Sequence, residues 1–138
     1  PSAAPYAAAL SALAEKARAW SAAAGSAQKT ILFRLRARQT GFIYLRDANA
    51  WLLSLERSVL DPPGIPGRPW FRHLIYAPLP SYRAETLPAI REALVDGRSE
   101  LAGLQIQRLS EKLDAAIAAA KAATGAGSLA PRTTPGRK

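Results

Sequence analysis

Apolar residues recur along much of this chain at alternating steps of three and four, the spacing that lines one side of an α-helix. Tyr6, Leu10, Leu13, Ala17, Trp20 and Ala24 form the first such stripe, with Pro5 suited to the opening turn and Gly25 to the stop. The next stretch, "SAQKTILFRLRARQT", has no clean boundary and reads as helix or part loop. From Thr40 to Asp61 the pattern firms. Phe42, Leu45, Asn49, Leu52, Glu56 and Val59 share one side, while Ile43, Tyr44, Trp51, Leu53 and Leu55 widen the apolar surface. That breadth predicts a central helix packed on several neighbours. Asp61-Pro62-Pro63-Gly64 ends it, because proline lacks the helical donor and restricts the residue before it.

Asp61 to Glu85 shows no helical period and reads as an ordered, proline-stiffened connection, with an extended run within "FRHLIYAP". A short helix follows, with Thr86 as its N-cap, Pro88 in the first turn and Gly97 at its close. Ser99 caps the last helix, whose stripe is Ala102, Ile106, Leu109, Leu113, Ile117 and Ala120. These elements need one another to bury their stripes. The expected class is all-α: a bundle of about four helices over residues 1–124, with the proline-rich connection between the second and third. Residues 125–138, rich in glycine, proline and basic side chains, are expected to be a disordered basic tail.

Composition narrows the chemistry. With 138 residues the chain can bury a core, and with no cysteine it has no disulfide, thiolate metal site or cysteine nucleophile. It also lacks methionine and begins at Pro1, so it reads as a processed product or a piece of a longer protein. No apolar run reaches the length of about 20 residues that a membrane span requires. The net charge of +9 admits two readings: arginines scattered over solvated faces, or a basic helical nucleic-acid-binding protein. Lys29, Arg34, Arg36 and Arg38 best support the second, although residues two apart point in different directions on a helix.

His73 is the only histidine. No second imidazole or thiolate stands at metal-ligand spacing, and no nucleophile elbow or phosphate-binding glycine loop accompanies it. It reads as a structural histidine bonded to backbone or to a carboxylate, and the chain alone as no enzyme. Arg68 and Arg72 flank Pro69-Trp70-Phe71. Either the aromatics pack into the bundle while the guanidiniums meet carboxylates, or the segment anchors the loop on another domain.

The run from Leu55 to Leu94 resembles the C-terminal helical domain of the glutamate carboxypeptidase and transferrin receptor family. The matching elements are Leu55-Glu56-Arg57, Asp61-Pro62, Gly64-Ile65-Pro66, Arg68-Pro69-Trp70-Phe71-Arg72-His73, Ile75-Tyr76-Ala77-Pro78, Tyr82 and Pro88-Ala89-Ile90. The resemblance implies a non-catalytic homodimerisation domain that also packs on the peptidase domain of its own parent chain, without nucleic acid or membrane contact. Arg68, Trp70, Phe71, Arg72 and His73 would form the docking loop. No cofactor is expected in this chain. The family's zinc ions sit in the peptidase domain, so the parent would be a metallo-carboxypeptidase-like hydrolase, placed outside the cytoplasm by family habit. Glutamate-specific members use a Lys-Tyr pair to hold the substrate carboxylate. Here the aligned pair is Ser81-Tyr82, so the tyrosine is kept and the lysine is absent, with Arg83 as a substitute cation. The resemblance therefore carries a substrate contact through Tyr82 and Arg83, but not glutamate specificity; read from the residues alone, Tyr82 serves equally as a packing side chain.

Overall fold

The structure is a computed structural model and describes residues 4–36, 42–78 and 84–124. A single 3-10 turn, Ala4–Tyr6, leads into α1 (Ala7–Arg36). Then come α2 (Phe42–Arg57), β1 (Tyr76–Pro78), β2 (Ala84–Thr86), α3 (Pro88–Val95) and α4 (Ser99–Thr124). The predicted bundle is present, with the long connection between α2 and α3 in its expected place.

Helices α1 and α4 run in the same direction and form the spine of the fold. Tyr6 Oη donates to the Ser99 carbonyl at 2.5 Å, and Lys16 Nζ reaches Ser110 Oγ at 2.6 Å and Asp114 Oδ2 at 2.5 Å. The α4 stripe faces inward as its period requires: Ala102, Ile106, Leu109, Leu113 and Ala120 are all buried. Ile106, Leu109 and Leu113 share a core with Leu13 of α1, Ala89 and Ile90 of α3, and Ile65 and Leu74 of the connection. Burying a large aliphatic side chain contributes about 1.5–3 kcal/mol, so the connection is a core element and not a cover over it.

Three expectations are corrected. Gly25 does not stop the first helix, which continues to Arg36. One interior glycine costs only about 1 kcal/mol relative to alanine. Burial of Ala27 and Ile31 beyond it outweighs that loss. Thr86 is not the cap of α3. It lies in β2, and the N-cap is Leu87 in the left-handed region (φ 51°, ψ 52°), with no side-chain cap. Its N–H donates to the Ile75 carbonyl at 2.7 Å, so strand geometry rather than a hydroxyl sets the entry to the helix.

The third correction concerns α2, which is not central. Leu45, Leu52 and Leu53 are 45%, 45% and 48% exposed. Its contact with α1 is a small second cluster of Ile31 and Ala48, flanked by Leu35 and Trp51. The close of α3 follows expectation. Gly97 has φ 69°, its N–H bonds the Leu94 carbonyl, and the Arg98 N–H bonds that of Ala93 at 2.8 Å. This is the paired ladder that ends a helix at a left-handed glycine.

One feature was not expected. β1 and β2 pair antiparallel, with Tyr76 opposite Thr86, Ala77 opposite Glu85 and Pro78 opposite Ala84. The tail at 125–138 and the 79–83 stretch, which holds Tyr82 and Arg83, lie outside the described residues.

Candidate functional site

The connection from Ser58 to Leu87 begins where α2 unwinds. Val59 and Leu60 donate to carbonyls only three residues back, a tightening common at helix ends. The chain then folds on itself as a narrow ladder. Asp61 N–H bonds the Arg72 carbonyl at 2.8 Å, Ile65 N–H that of Phe71 at 2.9 Å, and Leu74 N–H that of Val59 at 3.1 Å. Val59, Ile65, Leu74 and Ala77 point inward and are buried.

The ladder requires a glycine at one point. Gly64 has φ 75°, and a Cβ there would lie 2.2 Å from the Pro69 carbonyl oxygen. No side chain fits that approach. Gly67 also has positive φ, at 83°, but faces open space.

Polar side chains fasten this ladder to the helices. Asp61 is buried and meets Arg108 of α4, Oδ2 to Nη1 at 3.1 Å. Glu85 is 4% exposed on the inner face of β2, opposite Ala77, whose small side chain leaves it room. Arg91 of α3 holds its Oε1 at 3.1 Å, and the Arg68 guanidinium lies 3.6 Å from Oε2. Arg68 also donates to Glu92 of α3, and its Cζ stands 5.9 Å from the centroid of the Phe71 ring. A buried carboxylate needs such company, because isolated charge in a low-dielectric setting is strongly disfavoured.

His73 organises its own turn. Its Nδ1 accepts from the backbone N–H groups of Ile75 and Tyr76, both at 3.2 Å. The ring lies against that of Tyr76, with centroids 4.2 Å apart. Burial pushes the imidazole pKa below its ordinary value of 6.5, while Glu56 pulls the other way. The neutral ring is the form that can accept at Nδ1, so hydrogen bonding and burial favour the same state.

The five residues read as a docking loop thus part company. Arg68 turns inward to carboxylates, Phe71 packs on the core, and His73 braces its turn. Trp70 stands 77% exposed, with Arg72 also in solvent and Tyr76 half out. Sequence reasoning missed Glu85 and the Asp61–Arg108 tie. Only contacts distant along the chain reveal them, since the two partners of that tie are 47 residues apart.

The residues here do not fit a zinc centre. Among the described residues no three His, Cys, Asp or Glu side chains converge as a metal would require. His73 has already committed Nδ1 to the backbone. Nor is any described helix long and apolar enough to cross a membrane.

Comparison with known proteins places this architecture. Over residues 2–121 the chain matches the transferrin receptor-like dimerisation domain, and it belongs to that family. Among curated proteins it is 41% identical, over 73 residues, to an inactive zinc metalloprotease of Schizosaccharomyces pombe; the match covers 52% of this chain and 9% of that protein. A probable glutamate carboxypeptidase of Arabidopsis thaliana is 39% identical over 57 residues, 40% of this chain and 8% of its own. One from Zea mays is 44% identical over 48 residues, 33% of this chain and 7% of its own. The matched stretch is less than a tenth of the length of each relative. The chain is thus a dimerisation domain of the kind carried by glutamate carboxypeptidase-like proteins.

Proposed function

We propose that this chain is the non-catalytic homodimerisation and docking module of a longer glutamate carboxypeptidase-like zinc peptidase. One observation supports the docking role above others: a rigid loop holds Trp70 in solvent. Three fixtures brace it, namely the Gly64 approach, the Asp61–Arg108 tie and the Arg68–Glu85–Arg91–Glu92 cluster. An exposed tryptophan on a stiff support is the usual anchor of an interface, since little conformational freedom remains to be lost on binding. The partner is the peptidase domain of the same parent, which supplies the zinc. Tyr82, with Arg83, reaches that domain's substrate carboxylate.

The nucleic-acid reading finds no such support. Arg18, Arg68, Arg91, Arg98 and Arg108, five of the nineteen lysines and arginines, each meet a carboxylate of this chain.

Sedimentation of the chain from about 1 μM to several hundred μM, a span bracketing ordinary specific association, tests the first half. A dimer is expected, and a monomer throughout overturns autonomous homodimerisation. Trp70→Ala in the longer protein tests the second. It should leave the helical domain folded while the loop becomes open to protease; unchanged cleavage would refute docking through Trp70.

A further inference from the structure

Of the nine large apolar side chains exposed among the described residues, five lie on α1 and α2, while Trp70, Tyr76, Val95 and Leu104 stand singly elsewhere. Leu32 and Phe33 at the end of α1 are 42% and 70% exposed, and Leu45, Leu52 and Leu53 of α2 are 45%, 45% and 48% exposed. All five belong to the pair α1–α2. Ile31 packs with Ala48, and Trp20 to Gln28 line one groove with Leu52 to Glu56, so these two helices are antiparallel. Between them runs a groove of about 420 Å³, walled by Trp20, Ala24, Gly25, Leu52 and Leu55. The Trp20 Nε1–H is buried and has no acceptor among the described residues. Helix α2, 16 residues long, also touches α4, yet it leaves Leu45, Leu52 and Leu53 in solvent. Isolated helices of that length are marginal in water, so a further apolar partner would add to its stability.

We infer that the α1–α2 face, centred on Leu52, is the surface on which two copies of this chain associate. The inference rests on the homodimerisation proposed above and locates it. Four features select a second copy over other occupants. The chain belongs to a dimerisation-domain family. Leu45 and Leu52 stand seven residues apart, the repeat of a helix–helix seam. An antiparallel helix pair meeting its two-fold mate completes a four-helix layer in which the same patch serves both sides. Finally, Gly25 presents no Cβ and meets nothing within 4 Å, leaving room for a helix to approach the groove. The Trp70 loop is a separate surface and remains free in such a dimer.

The test uses the whole chain and three substitutions: Leu52→Glu, Leu53→Glu and, as a control on the loop, Trp70→Glu. All three positions are exposed, and circular dichroism checks each fold. Sedimentation equilibrium should show the two α2 variants dimerising at least about thirtyfold more weakly than the parent, the loss expected of central interface residues. Trp70→Glu should dimerise as the parent does. Because the chain has no cysteine, a single cysteine at position 53 or 70 can carry a spin label without competing sites. Labels at 53 should give a short inter-copy distance, and labels at 70 a longer one. A parent dimer that survives both α2 substitutions, with labels at 53 far apart, overturns the face while leaving homodimerisation standing. A parent that stays monomeric overturns homodimerisation itself, and with it this face, which would then be left for a neighbouring domain to cover. Should the α2 variants lose helicity, the label distances on the otherwise unaltered chain decide alone.

Discussion

At position 64 the fold depends on the absence of an atom. Gly64→Ala places a methyl group 2.2 Å from the Pro69 oxygen and in a backbone region that L-residues avoid. We expect a loss of about 3 kcal/mol or more, from strain added to displacement of the ladder. Gly67→Ala meets only the conformational penalty, about 1 kcal/mol. Urea denaturation of the two variants checks the contrast. His73 supplies a second prediction. Its folded pKa lies below 6.5, so the unfolded chain binds the proton more readily. The neutral imidazole's contribution is complete above pH 6.5 and is lost as the pH falls through the lower folded value. His73→Ala removes this slope from a plot of stability against pH and, by orphaning two backbone N–H groups, costs about 1–3 kcal/mol at neutral pH. An unchanged slope would show that another group governs the acid limb. Both residues drew notice in the sequence, but for different depths of reason. Histidine without partners in the chain reads as structural. The demand at Gly64, unlike that at Gly67, arises from the return of Pro69 and is invisible in a one-dimensional pattern.

Among the elements, α4 was the most legible, because its stripe faces one shared core built by α1, α3 and the connection, and period alone determines which side is buried. The failures share a cause. Gly25 and Thr86 each follow a sound local rule that a distant contact overrides, and the leucines of α2 follow one whose expected neighbours do not cover them. Gly25 carries a test: Gly25→Ala removes a helix-interior glycine and meets nothing within 4 Å, so it should raise monomer stability by about 0.5–1 kcal/mol. Thermal melting at concentrations below association reads this directly, and no gain would mean the helix is distorted there. The charged cluster around the strands gives another. Arg68→Met leaves the Glu85 carboxylate with Arg91 alone and should destabilise by about 2–3 kcal/mol, at the lower end for a broken buried pair. Adding Glu85→Leu should restore part of it, since it removes the buried carboxylate that Arg68→Met leaves short of a partner, although Arg91 loses its own. If the double variant is worse than the single, Glu85 has a further role.

For the whole molecule, the charge of +9 decides the direction of a salt effect. Two like-charged copies meeting through leucines repel at long range. Added salt screens that repulsion and should tighten the dimer, whereas binding to nucleic acid weakens steeply with salt. Sedimentation at about 0.05 M and 0.5 M salt, Debye lengths either side of a protein contact, separates the two. Fold class was readable at this scale because helical stripes without partners admit few arrangements. The family was readable from the proline-rich segment, whose ordered motifs are dense. Which surface faces which neighbour was not, because periodicity reports that a side is apolar and not what lies against it.

The continuity of α1 carries a consequence for motion. One helix of about 45 Å crosses from the large core near Leu13 to the small cluster at Ile31. Opening at the weaker end has no loop at which to stop. It can only travel inward, turn by turn, until tighter packing arrests it. Amide hydrogen exchange along α1 should therefore fall in a smooth gradient, fastest near Arg36 and slowest around Leu13, in place of two plateaus with a step at Gly25.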